Sequence, residues 1–298
     1  MKAILIPTDF SDNATRAAEC GYMLAKQLKA NVILFNAFTI PVDTPQAAIV
    51  MWPMYEHDEM PQSCNDFLHA LQQHLEVMDT TGFMPVIQCI GKAGSMGETI
   101  GDVMSEHEIG LVVMGTHGGS GLSGLLLGNH ARHMIDDTKY PLLLIPPYDN
   151  LRPIKKNAFA SDHQNLIEDL DSIYELIEMA KYLFADIVLS FVSDEKTQTA
   201  EFEKYLKDLL VELSNKADYP HIYYRLIKNG SVERGLEWLC EHGGIDMLAM
   251  VHRPHSFTSQ LVKGSHTKKM PTVSPYPCWF FRQKQRRNKD NEEYTPVN

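Results

Sequence analysis

The sequence predicts an α/β protein built as two tandem, open, parallel five-stranded sheets, each flanked by helices. Three observations predict it. Short apolar runs alternate with helix-periodic segments through the first 148 residues, the pattern of a parallel sheet covered on both faces. The second half of the chain repeats the first. And 298 residues suit two cores of about 150 residues better than one.

In order, AILIPTD (3–9) reads as a short buried strand, and NATRAAECGYMLAKQLKA (13–30) as a helix with Ala17, Ala18, Gly21, Met23, Leu24 and Leu28 near one face. VILFNAF (32–38) is the next strand. Residues 41 to 63 carry four prolines, Trp52 and Tyr55, and read as a long loop or lid before CNDFLHALQQHLEVM resumes a helix. PVIQCIG (85–91) is a strand, SMGETIGDVMSEH a helix and LVVMGT a strand. A glycine loop follows, then a helix to about residue 137 and the strand PLLLIPP (141–147).

The repeat is legible without gaps. Setting MGTHGGSGLSGLLLGNHARHM (114–134) over MVHRPHSFTSQLVKGSHTKKM (250–270) aligns Met114 with Met250, Ser120 with Ser256, Gly128 with Gly264 and His130 with His266. At the same offset Lys92, Gly94 and Ser95 meet Lys228, Gly230 and Ser231. IPTDFSD matches FASDHQN, and NVILFNA matches DIVLSFV, once the 41–63 loop is treated as extra. The expected domains are therefore 1–148 and 154–282, joined around PPYDNLRP, with 283–298 as a solvated, disordered tail.

Composition excludes several classes. A formal net charge of −11 would repel a phosphate backbone, so nucleic acid is not an expected partner. No apolar stretch is long enough for a signal sequence or a membrane span, so a cytoplasmic protein is expected. Five cysteines, scattered and without CxxC spacing, suit neither a disulfide framework nor a zinc site.

GTHGGSGLSGLLLGN (115–129) lies between a buried strand and a helix. Gly115 and Gly118 permit backbone approaches that a side chain would forbid, and such a loop can wrap an anion. Gly128 and Asn129 open the following helix, whose free N–H groups favour phosphate. Asp9 ends the first strand at the same carboxyl edge, where open α/β sheets bind ligands, and could accept from ribose hydroxyls or hold magnesium. The plainer alternatives are a tight turn for the glycines and a helix cap for Asp9.

On these residues the chain resembles the universal stress protein family. It carries the family's Gly-x2-Gly-x9-Gly-[Ser/Thr] motif as Gly115, Gly118 and Gly128, with the initial IPTDFSD and the closing YPLLLIP. The match spans 1–148 and, more weakly, 154–282. The resemblance implies a Rossmann-like fold of the adenine-nucleotide alpha-hydrolase kind, with ATP or another adenine nucleotide, with or without Mg2+, held by the glycine loop. It implies Asp9 near the adenosine, Pro7, Thr8, Asn36 and Ala37 bordering the adenine, and Met114, Gly115, His117, Gly118, Gly128, Asn129 and His130 on the phosphate side. Asn129 departs from the motif's Ser/Thr, and its amide is bulkier than a hydroxyl.

The resemblance implies a stress-response or signalling protein that binds nucleotide, without catalytic residues. A slow ATPase would need a positioned base or a basic clamp on the γ-phosphate, and the first-half loop offers only His117. A scaffold that has lost its ligand is the third reading. His117, His130 and His133 lack a nearby carboxylate or cysteine, so no metal site is expected, and Ser120 and Ser123 lie in no GxSxG elbow.

Two expectations concern the whole chain. PLLLIPP and PCWFFRQ (277–283) are matching apolar strands, expected to pair antiparallel so that the halves form an intrachain pseudo-dimer. No heptad or self-complementary patch specifies a further homodimer. The halves also differ: the second keeps Gly264, Ser265 and Asp162, but Val251 and Pro254 replace Gly115 and Gly118, with His252 and Arg253 able to supply charge. One nucleotide per chain, in the first half, is expected.

Overall fold

The computed structural model describes residues 3–38, 56–116, 134, 140–147, 153–161, 166–193, 199–253 and 277–282. Its strands are β1 (Ala3–Pro7), β2 (Val32–Phe38), β3 (Ile87–Ala93), β4 (Ile109–Gly115), β5 (Leu142–Ile145), β6 (Lys156–Ser161), β7 (Asp186–Ser193), β8 (Ile222–Lys228), β9 (Met247–His252) and β10 (Cys278–Arg282). The helices are α1 (Asp12–Leu28), α2 (Glu56–Met78), α3 (Met96–Glu106), α4 (Leu166–Leu183), α5 (Ala200–Ala217) and α6 (Val232–His242).

The described strands form one ten-stranded sheet in the order β3-β2-β1-β4-β5-β10-β9-β6-β7-β8. Each half contributes five parallel strands in the same order, and the halves meet where β10 pairs antiparallel with β5: Cys278 with Leu144, Trp279 with Leu143, Phe280 with Leu142. The two expected sheets are thus continuous. The register repeats as well as the order. Ile4 and Leu5 face Leu111 and Val112, while Asn157 and Ala158 face Met247 and Leu248, which equates Ile4 with Asn157 and Leu111 with Met247. At the outer strands Ile87 faces Val32 and Ile222 faces Ile187, so Lys92 stands one register place from Lys228. Ser95 and Ser231 nevertheless cap the helices that follow.

Side-chain alternation explains the unbroken apolar runs. Ile4 and Ile6 of β1, Leu143 and Ile145 of β5, and Trp279 and Phe281 of β10 enter a core under α1, α2, α4 and α5. Leu5, Leu142, Leu144, Cys278 and Phe280 enter the opposite core, with α3, α6 and the helical Met134. Both faces are covered, so both side-chain registers must be apolar.

Local chemistry sets the helix ends. Ser11 caps α1, its hydroxyl accepting from the Ala14 amide at 3.2 Å, and Lys29 closes it in a left-handed conformation. Gly21 lets α1 lie on β1, because a Cβ there would stand 2.7 Å from Ile6 Cδ1. Ser95 and Glu98 make a capping box on α3, and that hydrogen bond holds the Glu98 carboxyl below its ordinary range. The sequence reading begins the second helix at residue 64, but α2 begins at Glu56 and runs through Pro61. Pro61 is the sixth residue of α2 and has no amide to donate, so one internal hydrogen bond is forgone there. The expected lid shortens to residues 41–55, which lie outside the described residues.

Candidate functional site

The carboxyl ends of β2, β1 and β4 lie side by side. Pro7, Thr8 and Asp9 stand at the end of β1, Asn36 and Ala37 at the end of β2, and Met114 and Gly115 at the end of β4. His117, Gly118, Gly128, Asn129 and His130 lie outside the described residues.

Gly115 has a defined physical need. A Cβ on it would stand 2.9 Å from the Asn13 backbone oxygen and 2.9 Å from Asn13 Nδ2. The first turn of α1 therefore rests on bare backbone at the end of β4. Beyond it, the Thr116 amide donates to the Ile145 carbonyl at 3.0 Å, which ties the exit of β4 to β5. Asn13 Oδ1 is buried at this contact without a hydrogen-bond partner.

Asp9 is exposed. Its Oδ1 accepts from the Ser11 amide at 3.0 Å and from the Ser11 hydroxyl at 2.6 Å. Ser11, not Asp9, is the cap of α1, and Asp9 orients the cap. Phe10 between them has φ 61°, a left-handed residue that turns the chain sharply from strand to helix. Its amide donates to Thr8 Oγ1 at 3.0 Å, so the buried Thr8 hydroxyl is committed to this turn.

Asn36 is also committed inward. Its Nδ2 donates to the Thr8 carbonyl at 2.7 Å and its Oδ1 accepts from the Cys64 thiol at 3.3 Å, which fixes the amide orientation. Burial pushes the Cys64 thiol up, so it is a neutral donor at neutral pH. Asn36 thus braces β1 against β2, leaving Asp9 and the backbone of β1 and β4 as the outward-facing chemistry. Met114 is buried in the core under α3.

The sequence reading passes over Asn13, Ser11, Phe10, Thr116 and Cys64. The strand-end pattern could have found Ser11 as a cap. The contacts of Asn13 and Cys64 depend on where α1 and α2 pack, which no local spacing encodes. At the matching edge of the second half His252 ends β9 and Arg253 follows it.

At the equivalent carboxyl edge of the second half the chemistry differs. Ser161 Oγ donates to Asp169 Oδ2 at 2.5 Å, Arg253 Nη2 donates to Asp169 Oδ1, and Arg253 Nε stands 3.7 Å from Glu168 Oε2. Asp169, on α4, is 1 % exposed.

Comparison with known proteins fits this geometry. Residues 1–146 match the model of the Universal stress protein family. A universal stress protein structure from Archaeoglobus fulgidus aligns with 95 % of this chain and 98 % of its own, at 16 % identity and TM-score 0.70. A protein of unknown function from Pseudomonas aeruginosa aligns with 95 % of this chain and 93 % of its own, at 10 % identity and TM-score 0.59. At such identities these likenesses show the fold. A universal stress protein in complex with cAMP aligns with 48 % of this chain and 96 % of its own, at 20 % identity and TM-score 0.37. No curated protein sequence matches the chain.

Proposed function

We propose, for a chain that belongs through residues 1–146 to the universal stress protein family, that its first half binds an adenine nucleotide such as ATP at the carboxyl edge of β1, β2 and β4. The observation that carries this reading is Gly115, kept bare where α1 closes on β4, at the start of the Gly-x2-Gly-x9-Gly segment. The residues present fit such a group: an exposed carboxylate at Asp9 suits ribose hydroxyls or a magnesium ion, and glycine backbone suits phosphate. When bound, the nucleotide would bring its phosphates to the segment after β4. Asn36 and Thr8 act by holding the β1–β2 edge rigid rather than by direct contact. Binding and release of nucleotide, without chemistry on it, would be the signal.

In this reading residues 1–148 and 154–282 are two domains of a cytoplasmic pseudo-dimer joined through β5 and β10, and the second half is a structural partner. Among the described residues no helix is long and apolar enough to cross a membrane, and no two of the five cysteines form a disulfide.

The test is a thermal-unfolding titration with ATP and Mg2+. At a hundredfold excess over Kd the linkage is about 2.7 kcal/mol, which raises Tm by roughly 5–10 °C. Gly118→Val and Asp9→Ala should each remove most of that rise. No rise at millimolar ATP would overturn the reading.

A further inference from the structure

The second half repeats the strand order and register of the first, yet its carboxyl edge is built from different chemistry. By the strand register Val251 stands where Gly115 stands; the helix ends, left-handed at Lys29 and Phe184, set α4 two residues further along than β6, so Glu168 stands where Asn13 stands and Asp169 where Ala14 stands. In the first half Gly115 leaves a bare backbone contact with polar Asn13, and the buried Ala14 stands in the place of Asp169. In the second half Val251 and Leu166 are 3 % and 2 % exposed and belong to one apolar core. The bare backbone at the end of β4 is replaced by a packed side chain at the end of β9.

Arg253 completes the change. It directly follows the end of β9, placed to draw an anionic ligand. Its guanidinium instead sits on Asp169, with Glu168 alongside, and Ser161 donates to the other oxygen of Asp169.

Deepening the nucleotide reading above, on which it rests, we infer that Asp169 is the resident anion of the second half: it holds Arg253 as a ligand phosphate would, and with Val251 it closes that edge to nucleotides. The physical reason is desolvation. An incoming phosphate that took Arg253 would strip the buried Asp169 carboxylate of its guanidinium, and breaking a buried ion pair from one side disfavours exchange strongly. A free carboxylate beside the phosphate would add repulsion. Asp169 and Val251 therefore set the stoichiometry of the chain at one nucleotide, and the charge at Arg253, which the sequence alone offers as compensation for the lost glycines, is consumed internally.

Two measurements on the full chain test this. The first is a double-mutant cycle on thermal unfolding with Asp169→Asn and Arg253→Gln. Each single change should lower Tm by on the order of 5–10 °C, and the double no more than the worse single. Additive losses would overturn the pairing. The second is a calorimetric count of ATP·Mg2+ sites in the wild-type chain and in Asp169→Asn/Val251→Gly. The expected result is one equivalent in the wild type and one more in the double variant, held within about a hundredfold of the first. Two equivalents in the wild type would overturn the closure, and so would a folded double variant that gains none. None in the wild type with one in the variant would overturn the first-half reading and support the closure. Should the double variant fail to fold, the wild-type count and the cycle still decide.

Discussion

Single residues carry the sharpest contrasts between the halves. Asn157 of β6 is fully buried with neither side-chain oxygen nor nitrogen hydrogen-bonded, while its register counterpart Ile4 is an ordinary core residue. An unsatisfied buried amide costs about 1–3 kcal/mol. Asn157→Leu, close in volume and apolar, should therefore stabilise the protein by about 1–3 kcal/mol, read as a higher denaturation midpoint at unchanged m-value. A lower midpoint would mean that the amide has a partner in solution. Lys26 of α1 donates to the Asp79 backbone carbonyl at 2.6 Å and reaches its carboxylate at 2.9 Å, tying α1 to the end of α2. Hydrogen bonds from Thr81 and then Lys26 bring the Asp79 pKa down to about 2, below the ordinary value of roughly 4. Because the folded value is the lower one, this contribution is present above about pH 4 and is lost as pH falls toward about 2. Asp79→Asn should flatten the stability profile between about pH 4 and 2 and lower stability at pH 7. Urea midpoints across that range measure both effects.

At the scale of elements, glycines set how closely helices approach strands. A Cβ at Gly115 would enter the first turn of α1, against backbone that cannot rotate away. Gly115→Ala should cost about 1–3 kcal/mol by overpacking and should weaken nucleotide binding together with stability. Gly235 of α6 poses the same test with a softer neighbour, since a Cβ there would overlap Val192 Cγ1 of β7. A Gly235→Ala/Val192→Ala pair should recover most of the loss of Gly235→Ala alone. Additivity of the two losses would show that the clash is not the cause.

The whole molecule is joined by one short antiparallel ladder and by apolar packing across it. The core under α1, α2, α4 and α5 contains residues of both halves, among them Leu143 and Trp279, which face each other at the junction. Unfolding should therefore be a single transition whose calorimetric and van't Hoff enthalpies agree. Leu143→Asp, placing a carboxylate in a position 1 % exposed, should cost about 3–5 kcal/mol and split the transition in two. A split transition in the wild type would show that the halves are energetically independent.

Much of the α/β architecture is legible in the sequence because it rests on patterns that are local or nearly so. Apolar runs bounded by turn residues and alternating with helix-periodic segments read as strands covered on both faces, Ser95 opens a segment read as helix, and the repeat gives both halves one strand order. The pairing of β5 with β10 also follows from the sequence, since two exposed apolar edges in one chain gain by covering each other. The beginning of α2 at Glu56 is hidden in the sequence by Pro61, a residue that local propensity places outside helices. Side-chain commitments were decided only in three dimensions. Asp9 and Asn36 are equally polar strand-end residues in the sequence, but contact with Ser11 leaves Asp9 exposed whereas Thr8 and Cys64 hold Asn36 inward. Arg253 and Asp169 lie 84 positions apart, and only the packing of α4 beside the end of β9 makes one the counter-ion of the other. Strand and cap patterns act over a few residues, whereas ion pairing and desolvation act across whatever the folded chain brings together.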